Sequence, residues 1–425
     1  MTILAAGCGR VASVPPAVPV AAADPCAVAL APVTGADKLS GKIAAIQQKA
    51  RAASDPIPAL EQLGWLFVAK ARSSFDPGYY KLAEQCALCI ESKRPNDETA
   101  LLLRGHVLDS LHRFKQAEVI ARQLVASREL AADYGLLGDV LMEQGRLDEA
   151  TAAYQKMMDL RPDLHAYARA AHMRWLKGDL TGAIEAMQLA ARASSPNDPE
   201  SAAWVFSRLA MYRLQAGDTT QARRDCEAAL QFQTDYALAL LVRGRILMAE
   251  GKVADAVPSL QRAAELNPLP EYHWVLAEAL RATGQIGEAD AVEAKINARD
   301  DPRTVALFLA TTVKDAPMAL RLASEELPTR EDVFTLDALA WALHAAGKDV
   351  EAQTTMRRAL AEGTQDARLF LHAATILSAG DFAGKAAALR QMLLPSEQKL
   401  LAALPDRNPT LAASRSTDSQ PTTQE

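Results

Sequence analysis

Aromatic residues are scarce in this chain: five Trp, eight Tyr and nine Phe among 425 residues. Sheet cores draw on β-branched and aromatic side chains, so an alanine-rich sequence this poor in aromatics fits close-packed helices better. No run of eighteen or more apolar residues occurs, so no membrane-spanning helix is expected. Basic residues are not in excess: 46 Lys and Arg face 52 Asp and Glu, a net charge of −6, and no sequence-independent nucleic-acid footprint is expected. The motifs of common catalytic sites are also missing. There is no nucleophile elbow, no phosphate-binding loop and no zinc-binding His-Glu helix pair, and we expect neither an enzyme nor a bound cofactor or metal.

Small residues, in contrast, recur with a fixed spacing. Pairs twelve positions apart are Gly105 and Ala117, Gly138 and Ala150, Ala171 and Ala183, Ala210 and Ala222, Gly244 and Ala256, Ala277 and Ala289, Ala340 and Ala352, and Ala374 and Ala386. Their first members lie 33, 33, 39, 34, 33, 63 and 34 residues apart, so one unit in the 63-residue gap is degenerate. Seven residues after most first members stands a glycine, as at Gly145, Gly178, Gly217, Gly251, Gly284 and Gly347. Such a period marks stacked helical hairpins. The small residues allow two antiparallel helices to approach, and the glycine ends the first helix in a left-handed cap.

Tyr134-Gly-Leu-Leu-Gly138, Gln144-Gly-Arg-Leu-Asp-Glu-Ala150, Tyr154 and Leu160-Arg-Pro162 resemble the tetratricopeptide-repeat consensus, and the resemblance extends over about residues 59–400. It implies an all-α, right-handed α-solenoid of about ten hairpins. Architecture of this kind serves many partners and does not itself define a function. Residues 35–301 form the expected N-terminal array, 302–332 a degenerate repeat or joint, and 333–404 the C-terminal units. A first hairpin is expected over about 59–95, with Gly64 as its small residue. The tail over 405–425, rich in Ser, Thr, Pro, Asp and Gln, is expected to be disordered.

Residues 1–34 read differently. Ile3-Leu-Ala-Ala-Gly-Cys8 resembles the end of a bacterial lipoprotein signal, which implies lipidation on Cys8. Only seven residues precede that cysteine, with no basic segment or full apolar region. Two readings stand: a start lying upstream, or an accidental match. Prolines 15, 16, 19, 25 and 32 among Ala and Val describe a tether, taken here to lie outside any core.

At about 100° per residue, first-helix positions −4, −1, 0 and +3 from the small residue share a face and carry mostly Leu, Tyr and Phe, the stripe facing neighbouring helices. Positions −6, −3, +1, +4 and +5 form a second face. In the family it lines the concave surface and carries ligand contacts. All five tryptophans lie there: Trp65, Trp175, Trp204, Trp274 and Trp341. They read either as interaction anchors or as fillers between successive helices. His106, His165, His172 and Met211 share the face, and Asp109, Arg245, Glu278 and Arg281 are expected to set specificity. His165 and His172 stand seven residues apart, about 10 Å along the axis, too far for one metal ion. The family's C-terminal-carboxylate clamp of Lys and Asn is not visible.

Cys86 and Cys89 stand in a Cys-Ala-Leu-Cys motif on the second helix of the first hairpin, where core packing of one or both thiols is the expectation. Cys226 is expected to be structural, and Cys26 has no assignment. These readings converge on a non-enzymatic scaffold holding a protein or peptide segment in its groove. Its expected setting is the bacterial cell envelope, exported and, if the Cys8 motif is real, lipid-anchored. The alternative is a cytoplasmic regulatory or accessory subunit docking on an enzyme complex.

Overall fold

The computed structural model describes residues 24–404 except 300, 379 and 380, so Cys8 and the 405–425 tail lie outside the described residues. Every element described is a helix. Two helices, α1 (Pro25–Ala29) and α2 (Lys38–Ala52), precede ten hairpins. These join α3 (Ile57–Ser74) to α4 (Gly78–Lys93), α5 (Glu98–Ser110) to α6 (Phe114–Arg128), α7 (Ala131–Glu143) to α8 (Leu147–Leu160), and α9 (Leu164–Leu176) to α10 (Leu180–Arg192). The middle of the array pairs α11 (Pro199–Gln215) with α12 (Thr219–Phe232), α13 (Ala237–Ala249) with α14 (Val253–Leu266), and α15 (Pro270–Ala282) with α16 (Ile286–Glu293). The last three hairpins are α17 (Pro302–Thr311) with α18 (Ala316–Glu326), α19 (Val333–Ala345) with α20 (Asp349–Ala359), and α21 (Ala367–Leu377) with α22 (Phe382–Ala388). A short 3₁₀ turn (Arg390–Met392) and α23 (Pro395–Ala403) close the chain.

The small-residue pairs mark the closest approaches. A Cβ on Gly138 would stand 2.3 Å from the Tyr154 ring, and one on Gly244 2.3 Å from Leu260 Cδ2. All six glycines that follow the first helices adopt positive φ, between +73° and +82°, as the left-handed caps require.

The structure adds to or departs from the sequence reading at three places. The proline-rich stretch is not wholly a tether: α1 packs on α4, Ala29 is fully buried, and Gln47 Nε2 donates to the Ala29 and Ala31 carbonyls. Cys26 forms a disulfide with Cys89 across 63 residues, so only Cys86 is a free, buried thiol in that motif. The segment 302–332 forms a short but ordinary hairpin. Asp315 caps α18 by accepting from the Met318 N–H, and Pro317 sits in the first turn, where no hydrogen bond is lost. One continuous core runs from Ala237 to Leu394 through this hairpin.

The array then returns on itself. Where the α7–α8 turn projects, the connection between α18 and α19 meets it: the Glu331 N–H donates to Glu143 O at 3.2 Å, and Arg330 pairs with Glu143. One unit on, the α9–α10 turn meets the α20–α21 connection through Lys177–Glu362 at 2.6 Å and Thr364 Oγ1 donating to Leu176 O. Further along the same rim, Gln391 Nε2 donates to Gln215 O at 3.0 Å, and Ser396 donates through N and Oγ to Glu278 at 3.0 and 2.6 Å. The late units thereby cap the rim formed by the C-terminal ends of the central first helices.

Candidate functional site

The first helices α3 to α15 wrap a lumen of about 1760 Å³, open to solvent. Trp65, His106, His165, His172 and Trp204 line it, as the second-face reading anticipated. Trp65 meets the His106 ring edge-on at 5.4 Å. Trp65 and Trp204 are half-buried, and His165 is exposed. The other anticipated residues lie elsewhere. Trp175, Met211 and Arg245 line a separate cavity of about 160 Å³ beneath the returning C-terminal units. There Trp175 stacks on Phe334 of α19 at 5.5 Å and on His172 at 5.5 Å, and its Nε1 donates to Gln215 Oε1 at 2.8 Å. Its aromatic face is a docking anchor whose occupant is this chain's own α19.

Trp274 and Trp341 do not face the open lumen; they are 1 % and 6 % exposed. The Arg368 guanidinium of α21 lies over Trp274 at 4.8 Å, while Trp341 stacks on His372 at 4.1 Å and donates to Thr311 Oγ1 at 3.1 Å. In these later units the concave face is covered by α21 and α23, so the gap-filling reading describes both rings. Glu278 is buried and taken up by Ser396. Arg281 is exposed and pairs with Asp290 and Glu293 of the second helix of its own hairpin, away from the lumen. Asp109 is withdrawn behind the wall. Its Oδ1 is buried without a hydrogen-bond partner, and burial together with the nearby Asp139 and Glu143 charges raises its pKa well above the usual carboxylate range.

Arginines are the lumen residues that the face analysis missed. Arg169 and Arg208 both stand two residues before their small residue, about 160° around the wheel, one step past the last position assigned to the concave face. Their long stems carry the guanidinium back to the wall. Arg72 lies on the last turns of α3, which at 18 residues outruns the 13-residue α5, α7 and α9. A shared −2 offset was the signal available in the sequence.

The polar wall divides into paired and unpaired groups. Asp139 receives two bonds from Arg169, at 2.8 and 2.6 Å, and a third from Tyr154 Oη at 2.8 Å. Asp163 pairs with Arg161 at 3.0 Å, and Asp235 with Arg262 at 2.7 Å. The histidines are held neutral. Burial first, then the Arg72 charge, pushes His106 down to about 4, and burial with Arg208 pushes His172 down to about 3. His165, although its ring reaches solvent, is lowered by partial desolvation between the lumen walls and by Arg169. No group of three or more metal-ligating side chains exists among the described residues, and none of their helices is long and apolar enough to cross a membrane.

Such a lumen can grip an extended chain: aromatic faces for apolar side chains, and neutral imidazoles and guanidinium groups for backbone and charge. Comparisons with known proteins bear on the architecture. The family model for the tetratricopeptide repeat matches residues 102–165, 136–199, 207–269 and 241–302. No curated protein matches the chain. Among solved structures, the chain is similar to the APC/C hetero-tetramer Cut9-Hcn1 at 17 % identity and a TM-score of 0.44. That alignment takes in 73 % of this chain and 55 % of the other, so this chain spans little more than half of that protein's length. It is also similar to a human IFIT1 dimer with PPP-AAAA, at 15 % identity, 75 % and 76 % coverage and a TM-score of 0.46. A third likeness is to Pseudomonas aeruginosa pilF, at 16 % identity, 54 % and 97 % coverage and a TM-score of 0.41. None of these likenesses informs on partner or activity. With four matched repeat segments, left-handed glycine caps and ten successive hairpins, the chain belongs to the tetratricopeptide-repeat proteins, a family of protein-interaction scaffolds.

Proposed function

We propose that this chain is a non-enzymatic scaffold whose lumen holds an extended segment of a partner protein. One observation carries the reading: the central face is taken by the chain's own late units, yet a lumen of about 1760 Å³ remains open beside it, with half-buried Trp65 and Trp204 on its wall. That volume exceeds the roughly 300–1,000 Å³ of ordinary small-molecule sites. A pull-down with the full chain tests the reading. Trp65→Ala with Trp204→Ala should release a partner that the unaltered protein retains, while the double variant still unfolds cooperatively with only a modest drop in thermal midpoint. Retention of every partner by the double variant would sink it.

The setting we propose is the bacterial cell envelope, with the protein exported and lipid-anchored through Cys8. The Cys26–Cys89 disulfide supports this, because such bonds persist in oxidising compartments. The lipoprotein-like Ala5-Ala-Gly-Cys8 and the prolines after it point the same way. Mass spectrometry of the native protein should find a lipid-modified Cys8, and Cys8→Ala should move the protein to a soluble fraction. Cys26 and Cys89 recovered as free thiols from intact cells would favour instead an accessory subunit in the cytoplasm.

A further inference from the structure

Beyond its size, the lumen has a charge opposite in sign to that of the chain. Five arginines line it and no lysine does. Arg161 and Arg169 are neutralised by Asp163 and Asp139. Arg72, Arg208 and Arg299 make no ion pair with any described residue. Among the described residues the Arg72 side chain has one hydrogen-bond partner, His106 Nε2 at 3.4 Å, and Arg208 lies over the Tyr212 ring at 5.4 Å. Of the four lining carboxylates, Asp139, Asp163 and Asp235 have arginine partners, and Glu200 alone has none. Three unpaired cations against one unpaired anion leave the wall positive, while the whole chain carries −6. The cations come from α3, α11 and the segment after α16, so the charge is distributed along the wall rather than set on one helix. The Arg72 charge is felt by His106, His165 and Tyr236, residues of three other units.

Unpaired guanidinium groups beside open aromatic faces suit carboxylates, which they bind in bidentate fashion, and apolar side chains spaced between them. Resting on the reading of the lumen as a segment-binding site, we infer that its occupant is an acidic peptide segment, rich in Asp and Glu and interleaved with apolar residues, engaged by Arg72, Arg208 and Arg299. Potentials of opposite sign also speed encounter and reject basic competitors, so specificity and association rate follow from the same three side chains.

A random dodecapeptide library panned against the full, oxidised chain tests this. Enriched peptides should carry net negative charge, and the best should bind in fluorescence anisotropy with an affinity that falls as salt rises. Arg72→Gln with Arg208→Gln should weaken that peptide at least tenfold, and Arg299→Gln, outside the helices, should weaken it with no change in melting. Arg224→Ala, on α12 away from the lumen, should leave it unchanged. Enriched peptides that are neutral or basic, yet lost on Trp204→Ala, would overturn the acidic occupant and keep the groove. Peptides insensitive to every lumen variant, or no enrichment, would overturn both. Tighter binding of a single-stranded oligonucleotide than of a peptide of equal charge would overturn the assignment to a peptide.

Discussion

At Gly145 and Gly178 the backbone lies in the left-handed region, with φ of +76° and +82°, and a Cβ would stand 2.4 Å from the carbonyl oxygens of Glu331 and Gly363. Gly251 has nearly the same φ, +77°, and nothing within 4 Å. Replacing Gly251 with Ala should therefore cost only the left-handed conformation, about 1–2 kcal/mol. Gly145→Ala and Gly178→Ala should lose more, because the returning backbone must also shift. Urea midpoints of the three variants check this, and equal losses would contradict the docking described above. At the small-residue pairs, Gly138→Leu and Gly244→Leu should each cost about 1–3 kcal/mol by overpacking against Tyr154 and Leu260; unchanged melting would contradict the register.

A first helix presents one stripe to the core and another to the lumen, and two tryptophans on the lumen stripe separate by what lies opposite. Trp175→Ala removes the stack on Phe334 and the bond to Gln215, so it should lower stability by about 3–5 kcal/mol. Trp204→Ala should change stability little while weakening partner binding by about 2–4 kcal/mol. Acrylamide quenching of the two single-tryptophan signals gives a direct check, with Trp204, which faces the open lumen, quenched more readily than Trp175, which stacks on Phe334. The lumen histidines add a pH dependence. His106 and His172 titrate lower in the folded chain, at about 4 and 3, than unfolded, near 6.5. Between those values the unfolded chain binds more protons, so stability falls on acidification below about pH 6.5, by at most about 1.4 kcal/mol per pH unit and histidine. His106→Asn with His172→Asn should flatten this dependence relative to the unaltered protein. The raised Asp109 and Asp225 carboxyls act in the opposite direction but are common to both proteins. Parallel pH curves would refute the assignment.

Across the whole molecule, a superhelix is normally held by nearest-neighbour contacts alone, and this one adds two distant closures. The Cys26–Cys89 bond ties α1 to α4 across 63 residues, and its reduction should lower stability by about 2–4 kcal/mol. A reduced protein with an unchanged urea midpoint would show that α1 packing alone suffices. The rim contacts from Arg330 to Ser396 are the second closure. Arg330→Ala with Lys177→Ala removes the pairs to Glu143 and Glu362. Small-angle scattering should then report a larger radius of gyration, which the single replacement of exposed Arg281 should not produce.

Period, hairpin count, left-handed caps and the concave stripe were legible in the sequence, because each arises within one unit or between adjacent units, where spacing translates directly into geometry. Trp65, Trp204, His106, His165 and His172 follow from that local rule. What only the tertiary structure decided is which part of the stripe stays open. Trp175 and Trp274 occupy the same helical face as Trp204, yet Phe334 and Arg368 cover them from segments 159 and 94 residues further on, while Trp341 is closed in by His372 of the next unit. The pairing of Cys26 with Cys89 rather than of Cys89 with its neighbour Cys86 has the same origin. A periodic sequence specifies the step from one unit to the next; small deviations in that step accumulate over several units, and their sum, set by side-chain contacts between distant units, determines where the array meets itself.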